Sequence, residues 1–199
     1  LTDGRGWPEA VGDTGKTYTT RVFAMSGDAP DHTFEHLSGY PDLHHPTIFY
    51  GFGILALDDH IYHYLTTANR LPHDHPPDYL SHFVGAKLVY SPDKGQTWRN
   101  QDGTALGWEG WEERNRHSMV FYNEPNDAFS LLTMLQMGKN YEHNADGYVY
   151  VYAPNGNVEG CMNQLVMFRV PRDQILSRPD YTYFVSRNDD GSANWSPDI

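Results

Sequence analysis

Residues 139–146 read KNYEHNAD, which gathers an ammonium, a phenol, two carboxylates and an imidazole just ahead of an alternating apolar run. Glycoside hydrolysis needs two carboxylates, one as acid and one as base or nucleophile. Glu142 is one candidate, with His143 beside it as a proton-transfer group and Tyr141 as a sugar contact. Asp146 is a second candidate here, although a carboxylate before Gly147 also serves to cap a tight Asp-Gly turn. Residues 112–117, EERNRH, offer Arg116 to bind hydroxyls or neutralise an acidic sugar, and His117 as a general base near neutral pH. The same residues also read as a solvated charged loop. Residues 41–46, PDLHHP, add Asp42 as a further carboxylate and His45 as a base or sugar contact. His63, on a later strand, is placed to share their face, and its alternative is a half-buried strand histidine.

Trp108, Trp111, Tyr122 and Tyr141 supply flat faces on which sugar rings stack, or on which sheets pack. The stretch His73-Asp74-His75, with Asp78 nearby, is the one metal-like donor set. Short linear clusters seldom meet coordination geometry, so neither a metal nor another cofactor is expected.

These groups need a scaffold, and the composition describes an all-β one. The 199 residues are rich in Tyr and Gly, with 14 and 18, and lack long helical apolar periodicity. A strand is expected over 18–25. A hairpin follows, with strands over 47–57 and 61–67 joined by a turn at Asp58-Asp59. Gly51 and Gly53 mark a close backbone approach in its first arm. Further strands are expected over 83–90, from Thr97, over 119–122, 129–137, 147–153, 165–170 and 181–185, with one helical turn over 171–176. Residues 1–16 and 70–82 read as loops. Asp59-His60-Ile61-Tyr62-His63-Tyr64 resembles Asp146-Gly147-Tyr148-Val149-Tyr150-Val151, and a further apolar strand follows each. That is a weak repeat of four-stranded units, the pattern of propeller blades. About two to four blades fit the length. A β-sandwich with long loops is the alternative fold.

The net charge of −12 argues against nucleic acid and anionic membranes as partners. It also disfavours a polyanionic substrate unless Arg and Lys converge at the site. No apolar run is long enough to span a membrane as a helix. Cys161, the single cysteine, excludes an internal disulfide and reads as a small packed residue.

Residues 91–98, SPDKGQTW, follow the apolar run FVGAKLVY. Ser91 and Asp93 can accept backbone N–H bonds, Gly95 can take positive φ, and Trp98 can lie back over the turn. This string resembles the Asp-box, S-x-D-x-G-x-T-W, the repeated turn of sialidase-like β-propellers. With FSLLTMLQMGKNYEHNADGYVYVYAPNG and NQLVMFRVPRDQILSRPDYTYF, it extends a resemblance over most of 46–199 to a family of secreted bacterial proteins, usually described as a domain of unknown function or as sialidase-like. The resemblance implies a single β-propeller domain, incomplete at both ends, secreted or periplasmic, monomeric and acting on a polysaccharide or oligosaccharide. Relatives are similar to endo-acting arabinan hydrolases, and other sialidase-like propellers are polysaccharide lyases. The arginine triad of sialidases is not evident. Three functions are therefore expected in turn: a glycoside hydrolase with paired carboxylates, a lyase using His or Tyr with Arg116, and a non-catalytic glycan-binding propeller.

Overall fold

The computed structural model describes residues 2–4, 17–44, 47–68, 83–155 and 164–199. His45, the stretch with His73, Asp74, His75 and Asp78, and Cys161 lie outside them. The architecture is all-β, with several antiparallel sheets, none of which closes on itself among the described residues. No α-helix occurs among these residues. The expected helical turn over 171–176 is a pair of tight turns, and a single 3-10 turn follows at Arg178–Asp180.

The first large sheet is a meander of β6 (Phe49–Leu57), β7 (His60–Ala68), β8 (Phe83–Ser91) and β10 (Phe121–Tyr122), with β9 (Arg99–Asn100) beside β8. The second is β11 (Thr133–Met134), β12 (Tyr148–Asn155), β13 (Gln164–Pro171), β14 (Thr182–Arg187) and β15 (Ala193–Ser196). The two repeated segments occupy matching places. β7 and β12 are each second in their sheet, and β8 and β13 third.

Alternation explains the packing. On β12, Val149, Val151 and Ala153 are buried while Tyr148, Tyr150 and Tyr152 take the other, half-buried face. The buried side joins Phe168, Val170 and Tyr183 of its own sheet to Leu55, Leu57, Tyr64 and Leu88 of the first. Apolar burial of this kind is the main force holding the two sheets together. Phe168 stacks on Tyr181 at 4.5 Å, and Tyr181 donates to the carbonyl of Ile175 at 2.7 Å. Gly53 allows β11 to approach β6, because a Cβ there would lie 2.6 Å from the Leu132 carbonyl. A second cluster, with Tyr40, Phe49, Leu65, Val89, Trp98 and Met119, covers the opposite face of the first sheet. β7 is therefore buried on both faces.

Some expected strands are shorter or broken. The strand expected over 18–25 splits at Val22. β2 (Tyr18–Arg21) pairs with β1 (Thr2–Gly4) and β5 (Leu43–His44), whereas β3 (Phe23–Ser26) forms a hairpin with β4 (Thr33–His36). The expected strand over 129–137 keeps only Thr133–Met134, and its first residue, Phe129, takes a positive φ that does not suit an extended strand.

Candidate functional site

The turn at 91–98 sets the geometry of the site. The Ser91 hydroxyl donates to Asp93 Oδ1 at 2.9 Å and accepts the Gly95 N–H at 2.7 Å. Asp93 accepts the Thr97 N–H at 2.8 Å and its hydroxyl at 2.6 Å. Trp98 donates its indole N–H back to the Gly95 carbonyl at 3.2 Å. Lys94 and Gly95 carry the positive φ values that reverse the chain. Those Thr97 bonds hold the Asp93 carboxyl below its usual range, followed in size by smaller contributions that include Ser91. A depressed carboxyl stabilises the fold above its unfolded value and loses that contribution as pH falls through its folded value. An Asp93→Ala protein is therefore expected to melt at lower temperature near neutrality, with a weaker acid dependence below about pH 4. Any activity measured per folded molecule should be unchanged. Loss of activity in a protein of unaltered melting temperature would contradict this structural role.

The chain leaving this turn forms one wall of an open cleft of about 510 Å³. Asn100 ends β9, Gln101 and Asp102 follow it, Glu109 comes from the next loop, and Asn115 to Val120 close that side. Lys87 rises from the middle of β8. Leu176 to Pro179 of the second-sheet half form the opposite wall, and Gln101 donates across to the Leu176 carbonyl at 2.7 Å.

The charges are arranged in pairs. Lys87, 2% exposed, meets Glu109 Oε1 at 2.5 Å. Arg178 donates to the Val120 carbonyl at 2.7 Å and to Glu124 Oε1 at 2.8 Å, and its guanidinium lies over Phe121. Glu124 Oε2 is 3.6 Å from Arg116, whose side chain is 62% exposed. The Asp102 carboxyl is held below its usual range by the Thr104 hydroxyl and N–H, so it is ionised at neutral pH. The His117 N–H donates to Asn115 Oδ1 at 2.8 Å, which fixes that loop and leaves the exposed imidazole at the cleft wall.

Of the residues singled out in the sequence, the cleft brings together Arg116 and His117. The others lie elsewhere. The Asp42 carboxylate is gripped by Arg21 at 3.1 Å and by His36 at 3.0 Å, tying β2 and β4 to the segment before β5. Glu142 and His143 sit 3.8 Å apart on an exposed turn that packs toward the β6–β7 connection. Tyr141 is buried and its hydroxyl accepts the Tyr150 N–H at 3.4 Å. Asp146 caps its turn, taking the Tyr148 N–H at 3.1 Å and the Tyr150 hydroxyl at 2.5 Å. Trp108 tilts against Phe49 at 5.6 Å, and Trp111 lies under the Arg114 guanidinium at 4.3 Å. Both tryptophans thus pack on the second cluster. His63 is sealed between Tyr40 and Trp98, and neither ring nitrogen has a partner among the described residues.

Lys87, Glu109 and Arg178 were not singled out in the sequence. Lys87 had a signal, being the one charge within the apolar run 83–90. Among the described residues, no group of three or more His, Cys, Asp or Glu side chains is gathered as metal ligands, and no helix is long and apolar enough to cross a membrane. The chain matches no known protein-family model and no curated protein.

Proposed function

We propose that this chain contributes blades to a secreted, sialidase-like β-propeller, and that it hydrolyses a polysaccharide in the cleft beside the 91–98 turn. The observation that carries the reading is the gathering, in one cleft, of Arg116, His117 and two carboxylates, Asp102 and Glu109; the 91–98 turn lies outside the lining and leads into it through β9. Sites on rigid β scaffolds lie on loops, and sugar clefts combine amides, carboxylates and guanidinium groups in this way. Two meander sheets packed face to face are compatible with neighbouring blades and equally with the β-sandwich alternative.

Charge balance favours hydrolysis of a neutral glycan. Lys87, Arg116 and Arg178 are offset by Asp102, Glu109 and the adjoining Glu124. Such a cleft has no excess positive field to draw a polyanion into an acidic protein. A lyase is the second reading, because exposed Arg116 and His117 neighbour each other on one wall, as charge neutralisation and proton abstraction at a uronate require.

Digestion of neutral and uronate-bearing polysaccharides distinguishes the two. Hydrolysis gives new reducing ends without the ultraviolet absorbance of an unsaturated uronate; elimination gives both. Activity is expected on a neutral polymer and to fall by about tenfold or more in Arg116→Ala. Binding without any product from any polymer would leave only the glycan-binding role.

A further inference from the structure

Lys87 lies mid-strand on β8, flanked by Ala86 and Leu88 of the main core. An ammonium is expensive to bury, and a buried ion pair rarely improves on apolar side chains of the same volume. Packing alone would be served by an aliphatic residue there. Among the described residues its ammonium donates to Glu109 alone, across 22 positions of chain. Glu109 is 18% exposed and returns only Oε1 to that bond. Its Oε2 is shielded from solvent and has no partner among the described residues. A shielded carboxylate oxygen without a donor costs free energy, and such an oxygen in a cleft wall calls for a reason.

We propose that Glu109 is the carboxylate that contacts the sugar in the cleft, accepting a hydroxyl hydrogen bond on Oε2 after a side-chain rotation, and that Lys87 is its positioning residue. This rests on the reading of the cleft as a glycan site. Glu109 lies on a loop rather than in a strand, while Lys87, fixed in a central strand, tethers the carboxylate through Oε1. The pair thus has a division of labour, with a rigid cation below and an adaptable acceptor above.

Calorimetric titration of the whole chain with a panel of neutral and uronate-bearing oligosaccharides tests it, alongside melting temperatures. Glu109→Gln is expected to weaken binding roughly tenfold or more and to lower the melting temperature, since Lys87 then keeps a buried charge without its counter-charge. The double variant Lys87→Met with Glu109→Gln removes both charges. Its melting temperature should recover toward that of the parent while its binding stays roughly tenfold weak. A purely structural pair would regain both. Parental affinity in either Glu109 variant would overturn the assignment and leave the cleft reading intact. A parent protein that binds no oligosaccharide of the panel would overturn both.

Discussion

Lowering the pH from 7 to 5 should cost the protein about 2 kcal/mol of stability through one side chain, and a His63→Leu variant should lose that sensitivity. His63 is fully enclosed, and its burial pushes the imidazole from 6.5 down to about 3. The unfolded chain takes up a proton near 6.5, whereas the folded protein refuses it until about 3. Between those values the unfolded state binds more protons, so stability falls as pH falls, by about 1.4 kcal/mol per unit. The effect is absent above pH 7. The depressed carboxylates Asp93, Asp102, Asp146 and Asp190 act in the same direction, but in a lower window, below their ordinary values near 3.8. The two windows therefore separate in urea unfolding measured at pH 7, 5 and 3.5. His63→Leu also removes two ring nitrogens without partners, so near-parental stability at pH 7 is expected. An equal loss between pH 7 and 5 in the variant would show that another group is responsible.

Gly39→Ala should destabilise the protein by about 3 kcal/mol, a large value for the addition of one methyl group. A Cβ on residue 39 would lie 2.0 Å from the Gln96 carbonyl oxygen and 2.8 Å from that of Gly95. These are backbone atoms of the 91–98 turn, which its own hydrogen bonds prevent from yielding. The loop must move instead, and it carries Tyr40, whose ring meets Trp98 edge-on at 4.9 Å. Chemical denaturation measures the loss, and near-ultraviolet circular dichroism should report the disturbed Tyr40–Trp98 contact. A change under about 0.5 kcal/mol would mean that the loop does not rest on the turn as described.

Much of the scaffold was legible locally. The turn at 91–98 could be read because its bonds join residues no more than four apart. The β6–β7 hairpin and the inward valines of β12 followed from period-two alternation. A strand of two residues such as β5 carries no such period and exists because β2 pairs with it. The break at Val22 likewise reflects a change of sheet, which no local pattern announces.

The site was less legible. Arg116 and His117 stood out by their chemistry, and they do line the cleft. Asp42 stood out equally, yet Arg21 and His36 hold its carboxylate, and those contacts span 21 and 6 positions. A sequence shows a carboxylate but not who holds it. Glu109 sat unmarked between Trp108 and Gly110 because its partner is 22 residues away, on β8.

The central claim is that glycans bind in the cleft beside the 91–98 turn. Crystallography of the protein with an oligosaccharide that it binds tests this most directly. A sugar unit between Arg116, His117 and Glu109, with a hydroxyl within hydrogen-bond reach of that carboxylate, is the predicted result. A sugar held at Glu142 and His143, with the cleft empty, would contradict it.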